Sequence, residues 1–174
     1  MPCTITITGR AFPCKTGIGG IKKVYACAWT DGLWDPIVAG GVADATIAST
    51  EMFSFELTKN SGSLQQTVTS SVENGTVFYS QVVTMIMPLI NGTSNDELRQ
   101  LMSARVALLV EDNNGNLLLM GHALGCEVSG GDIGTGTAKG DLNGYNIQFT
   151  AEETAPAPIV PTSGWTNLTL TAGS

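Results

Sequence analysis

Charge is scarce in this chain. Of its 174 residues only 13% are charged, and Lys and Arg number 8 against 15 Asp and Glu, for a net charge of −7; globular domains usually carry about 25% charged residues. The deficit of cations argues against binding to a phosphate backbone, which needs clustered Lys and Arg to displace counterions. The shortage of charge of either sign leaves little to decorate a free monomer. Neutral surface rich in Thr, Ser and Gly is cheap to desolvate, so self-association is favoured.

Histidine is nearly missing, His122 being the only one. It stands near no nucleophile in a G-x-S-x-G elbow, and a His-based zinc or non-haem iron centre would have to draw its other ligands from scattered carboxylates and thiols. The four cysteines, Cys3, Cys14, Cys27 and Cys126, form no C-x-x-C pair, a pattern that fits buried reduced thiols better than a disulfide framework or a zinc site. No catalytic residue, cofactor or metal site is therefore expected, and the chain reads as a non-enzyme.

A long apolar run is absent too. Val82 to Ile90, the densest stretch, is broken by Thr84 and Pro88 and falls far short of the roughly 20 residues a membrane helix needs. Met1-Pro2-Cys3-Thr4 has neither a basic n-region nor an apolar h-region. The expectation is a soluble chain made in the cytoplasm without a membrane partner. The Asn-x-Thr sequons at Asn74, Asn91 and Asn167 then read as turn and strand-edge asparagines rather than glycan acceptors.

What is present is mostly β pattern. Cys3 to Thr8 alternates Ile5 and Ile7 with threonines, the signature of a half-buried strand. Ile21 to Thr30 is apolar at both alternations, so both its faces should be covered. Gly9 to Gly20 and Asp31 to Gly41 read as irregular, and Met52 to Leu57 as a short strand with Phe53, Phe55 and Leu57 on one face. Arg105 to Asp112 and Asn116 to His122 read as a hairpin through Asn113-Asn114-Gly115, with Val106, Leu108 and Val110 facing the core. Ala123 to Val128 continues the sheet, Ser129 to Gly144 is a glycine-dense connection, and Tyr145 to Ala151 closes the sheet.

One helix is expected, over 94–104. Ser94 and Glu97 have the spacing of a capping box, and Leu98, Leu101 and Met102 form an apolar stripe. One domain should span 1–155, followed by a Pro-rich C-terminal arm over 156–174 in which Leu168 and Leu170 alternate with polar residues. Pro-rich spacers are stiff and extended, so the arm would carry one more strand to an edge, on a neighbouring subunit or on its own. The fold class expected is a β-sandwich or barrel with one flanking helix, a long projecting hairpin and that arm.

The hairpin of 64–87 is the most telling segment. Asn74-Gly75 suits a two-residue type I′ turn, and the second arm is apolar on both faces: Phe78, Val82 and Ile86 on one, and Val77, Tyr79, Val83, Met85 and Met87 on the other. Fully extended, Thr76 to Met87 would run roughly 40 Å, against a radius of gyration of about 16 Å for a compact chain of this length. Part of it should meet another copy of the chain, with Val77, Tyr79, Val83, Met85, Met87, Leu168 and Leu170 as the expected inter-subunit contacts.

Two chemical look-alikes fail on spacing. Gly134 to Gly140 lacks the Gly-Lys-Ser/Thr of a phosphate loop and leads toward a strand. Asp112-Asn113-Asn114-Gly115 lacks the acidic first and twelfth positions of a calcium loop, with Val110 and Gly121 in their places. Asp141 is expected to cap local backbone amides.

The run "VTSSVENGTVFYSQVVTMIMPL", the short helix after it, and the ordered "EDNNG", "VSGG", "TGTAKGDLNGY" and "FTAEE" between Glu111 and Glu152 resemble the tail tube (major tail) proteins of tailed bacteriophages. The likeness spans about Gly20 to Pro158, with weaker support from "GIGGIKKVYACAW". It implies a β-sandwich whose copies form rings of six that stack into a hollow virion tail tube, which contacts other tail proteins and passes genomic DNA without specific binding. Glu111, Asp112, Asp132 and Asp141 would be candidates for an acidic lumen. The alternatives are another virion or injection-machine component, such as a decoration, connector or terminator protein, and a sandwich that holds a small apolar or sugar ligand against Trp29, Trp34 or Trp165.

Overall fold

A computed structural model describes residues 9, 16–34, 37–38, 41–42, 51–160 and 169–172. The strand expected over Cys3 to Thr8 lies outside them, as do Leu168 and Trp165. In chain order the elements are β1 (Ile21–Ala28), β2 (Ile37–Val38), β3 (Gly41–Val42), β4 (Glu51–Glu56), β5 (Gly62–Ser71), β6 (Thr76–Pro88), α1 (Gly92–Ser103), β7 (Val106–Asp112), β8 (Leu117–Met120), β9 (Glu127–Gly134), β10 (Gly144–Glu153) and β11 (Thr169–Ala172).

The fold is mainly β, with two large sheets and one helix among the described residues, the class the strand alternations and the single capped segment lead to. One sheet runs β11-β4-β1-β7-β8 and the other β5-β6-β10-β9, with β2 and β3 forming a separate short pair. Each pairing is antiparallel except β11 with β4.

The double apolar character of β1 and β7 has a direct structural meaning. Val24, Ala26, Val106, Leu108 and Val110 face the other sheet and meet Val83, Met85, Tyr145, Ile147 and Phe149 in the main core. The alternate residues Tyr25, Cys27, Ala107 and Leu109 face the opposite way, into a second cluster with Trp34, Met52, Leu119 and Val160. Strands β1 and β7 are thus buried on both sides. On β4 the face carrying Phe55 packs toward the main core, but Phe53 on that same alternation is half exposed, and the fully buried residue is Met52 on the opposite side.

Helix α1 starts earlier than expected. Its N-cap is Asn91, whose side chain accepts from the Ser94 amide at 2.7 Å, so the orphan donor that a capping box would serve is already satisfied. Ser94 therefore sits inside the first turn. Leu98 is buried, and Leu101 and Met102 pack partly against the core.

Two connections also differ. Ser71 pairs with Thr76, leaving a four-residue loop, Val72 to Gly75, in place of the type I′ turn. That turn demands positive φ at both central residues, and here Gly75 (φ 62) has it while Asn74 does not. The glycine-dense stretch after Cys126 is half strand, because β9 occupies Glu127–Gly134. Its bulge falls opposite Gln148 and Phe149, and at Gly131 (φ 153) a Cβ would collide with the Asn146 carbonyl oxygen, so only glycine lets the strand lie this close to β10.

Candidate assembly surface

The long apolar strand β6 lies second in the four-stranded sheet, bonded to β5 on one side and β10 on the other. Its pleat sends odd-numbered side chains to the core and even-numbered ones outward. Val83 and Met85, expected at a subunit contact, are each 0% exposed within their own subunit. This overturns their assignment: their alternation is the inner face, and β1, β7 and β10 already cover it. Met87 on the same alternation packs partly against that core.

Beyond Gln81 the inner face runs out of partners. β10 stops pairing at Glu153, opposite Tyr79, and the last buried side chain on this part of β6 is Gln81. Past it, Val68 and Val77 are 57% and 52% exposed, Tyr79 is half-buried, and Val72 at the tip is 95% exposed. Val68 pairs with Tyr79 and Ser70 with Val77, so Val68, Val77 and Tyr79 share the alternation that is core-facing farther along. Of the five hairpin residues expected at a contact, Val77 and Tyr79 therefore remain available.

The overhang is anchored by a buried polar network that sequence reasoning did not identify. Gln81 donates through Nε2 to the Ala155 carbonyl at 3.3 Å and accepts through Oε1 from the Gly121 amide at 3.3 Å. Glu153, also buried, accepts through Oε1 from the Ala123 and Leu124 amides at 3.0 and 2.9 Å. Buried backbone donors need such partners. Gln81, Ala123, Glu153 and Ala155, with His122 and Pro156, line a small cavity of about 230 Å³. The one legible signal was a polar residue, Gln81, on the apolar alternation of Tyr79, Val83 and Met85.

The outer face of this sheet carries the carboxylates. On β10 the buried alternation Tyr145, Ile147, Phe149 and Ala151 leaves Asn146, Gln148, Thr150 and Glu152 facing out, and β9 sets Asp132 opposite Asn146 and Glu127 opposite Thr150. β6 contributes Phe78, Ser80, Val82, Thr84 and Ile86, all half-buried. None of the four strands contains Lys, Arg or His.

Of the four acids expected to line a lumen, only Asp132 lies on this face, where it accepts from the Asn146 side chain at 3.1 Å. Glu111 belongs to the other sheet, bonded to the Tyr25 hydroxyl at 2.9 Å and to Lys22 at 3.3 Å. Asp112 is consumed by its turn, accepting from the amides and side chains of Asn114 and Asn116 at 2.7 to 3.2 Å. Burial alone would raise its carboxyl, but these hydrogen bonds outweigh that and hold it below the usual aspartate value. Asp141 caps the Ala138 and Thr137 amides at 2.7 and 2.9 Å, as its turn position predicts, and these bonds lower its pKa. Glu127 and Glu152 went unnamed although the alternation that buried Phe149 and Ala151 pointed Glu152 outward.

Each sheet edge has a distinct status. The C-terminal segment serves the five-stranded sheet: Leu119 donates to the Pro158 carbonyl at 3.0 Å, Val160 to the Leu117 carbonyl at 2.9 Å, and β11 lies parallel to β4 with Leu170 beside Met52. The arm thus occupies both edges of its own subunit's sheet, and Leu170 is placed there rather than on a neighbour. In the four-stranded sheet, β5 and β9 form the two ends and no strand among the described residues pairs with their outer sides.

Cys27 and Cys126 are buried free thiols, with burial pushing Cys27 up to about 11 and Cys126 higher. Among the described residues no group of three or more His, Cys, Asp or Glu is placed to hold a metal ion, and no helix is long and apolar enough to cross a membrane. Compared with known proteins, the chain matches no family model, no curated protein and no solved structure.

Proposed function

We propose that this chain is a structural subunit that closes into a ring with copies of itself, the rings stacking into a hollow virion tail tube through which DNA passes. The observation that carries this reading is the four-stranded sheet, whose two different end strands pair with no further strand among the described residues and whose four strands contain no Lys, Arg or His. An open edge offers unpaired N–H and C=O groups to another strand. Because the β5 and β9 edges differ, pairing one with the other in the next copy is heterologous and closes a ring when the rotation fits.

Size supports the reading. Six such sheets set edge to edge would give a wall about 115 Å around and roughly 37 Å between opposite backbones before strand tilt widens it. That leaves room for a DNA duplex. The outward Asp132 and Glu152, among Ser, Thr, Asn and Gln, would repel phosphates weakly through screened water and keep the duplex moving, while Glu127 is paired with Arg105 at 3.2 Å. The overhanging Val68, Val77 and Tyr79 add a second contact to a neighbouring subunit or ring. In this reading the protein has no catalytic role or cofactor, is made in the bacterial host cytoplasm, and ends in the virion tail beside other tail proteins.

Sizing chromatography with light scattering at high protein concentration, followed by electron microscopy, tests this. Hexamers or open-ended tubes are expected. A strictly monomeric species overturns the proposal, and discrete single rings or trimers favour a terminator, connector or decoration protein instead.

A further inference from the structure

Four asparagines in this chain precede a glycine: Asn74, Asn91, Asn114 and Asn143. A glycine has no side chain to shield its amide nitrogen and rotates freely, so Asn-Gly is the dipeptide most prone to losing its side-chain ammonia. The reaction needs a carboxamide free to swing and a peptide bond free to turn until the glycine nitrogen meets the asparagine Cγ.

The fold holds three of the four pairs out of that geometry. Asn91 is the N-cap of α1, its side-chain oxygen held by the Ser94 amide at 2.7 Å and its backbone extended at ψ 163. Asn114 is clamped at both ends of its carboxamide, with Oδ1 accepting from the Ile18 amide at 2.9 Å and Nδ2 donating to the Ile18 carbonyl at 2.8 Å. Asn143 gives its carbonyl to the Leu89 amide at 2.7 Å, and Gly144 is ladder-paired to both Pro88 and Gly134.

Asn74 has none of these restraints. It sits in the exposed four-residue loop at the tip of the β5–β6 hairpin, its side chain makes no hydrogen bond among the described residues, and its backbone amide donates there to the Ser71 hydroxyl at 3.3 Å. Gly75 has open space where a Cβ would stand.

We propose that Asn74 is a spontaneous modification site, where the hairpin tip converts itself to aspartate and isoaspartate. The deprotonated Gly75 nitrogen attacks Asn74 Cγ, forming the N–Cγ bond of a succinimide while the Cγ–Nδ2 bond breaks and ammonia leaves. One water then opens the ring. Attack at the side-chain carbonyl restores a normal backbone with aspartate, and attack at the main-chain carbonyl diverts the backbone through the side-chain carbon as isoaspartate. Either product adds a carboxylate beside Glu73, at the part of the hairpin farthest from the core. The inference stands on the geometry of the single chain and does not rest on ring formation.

The test is to incubate the folded full-length chain at mildly alkaline pH and follow each of the four peptides by mass spectrometry, with the same chain in urea as reference. In the folded protein Asn74 is expected to gain the mass of NH₂ replaced by OH at least about tenfold faster than the other three, because those require local opening first. In urea the four rates should converge. Comparable rates at all four sites in the folded protein, a faster site elsewhere, or an Asn74 that reacts in urea but not when folded would overturn the proposal. A folded Asn74→Gln variant should show no comparable product at the tip; the same mass gain and rate there would place the modification on another residue.

Discussion

Asp112 governs the tight end where β7 turns into β8. Its carboxylate draws Asn114 and Asn116 inward, and the turn so formed holds the preceding loop, with the Asn113 side chain donating to the Gly19 carbonyl at 2.8 Å and the Asn114 side chain to Ile18. The folded-state pKa lies below the usual value, so its stabilisation is complete above the ordinary aspartate range, about pH 4, and fades as pH falls through the depressed folded value. Asp112→Asn sets an amide against the amides of Asn114 and Asn116. Urea unfolding should show the variant about 1 to 2 kcal/mol less stable at neutral pH, with the two proteins converging in acid. A gap that stays constant into acid would mean the carboxylate is not the source. Sequence showed a turn here, but not that its asparagines tie down Ile18 and Gly19, because those partners are far away along the chain.

At the scale of elements, β6 is one strand with two environments. Its alternation was legible, and so was the excess of apolar surface, but the residue at which cover ends depends on where β10 stops. That point, Glu153 opposite Tyr79, separates core from overhang. Replacing Tyr79 and Val83 together would confuse the two, so they are best tested singly. Val83→Asp puts an unpaired charge into the closed core and should abolish the folded state by circular dichroism, since such burial costs several kcal/mol. Tyr79→Asp should leave the thermal midpoint nearly unchanged while lowering the assembled fraction in light scattering. Loss of folding in the Tyr79 variant would make the overhang part of the subunit's own core. The helix start has a similar origin: the Ser94-to-Glu97 spacing was visible, but Asn91 reached the amide first.

For the whole molecule, the separation of charge between the sheets matters most. Lys22 and Lys23 lie in the five-stranded sheet and pair with Glu111 and Glu56, Arg105 beside it reaches across to Glu127 on β9, and the four strands of the other sheet contain no basic residue. The native protein should show no retention of duplex DNA in fluorescence anisotropy at moderate salt. Changing Glu127, Asp132 and Glu152 to lysine should create binding whose logarithm falls with the logarithm of salt, by about 0.9 for each phosphate contacted. Tight binding by the native chain would count against a non-sticking wall.

The alternations in β1, β7 and β10 determined which side chains could be buried, the shortage of charge left little to decorate the surface, and the glycines and asparagines marked most turns. Those are local properties, fixed by a strand's period of two and by backbone sterics. Only the tertiary structure decided which sheet each strand joined, that Val83 and Met85 were covered from within, that Asp132 and Glu111 sat on different sheets, and that the arm occupied its own subunit's edges. Each depends on pairing between segments distant in sequence, and no local pattern specifies which distant partner a strand takes.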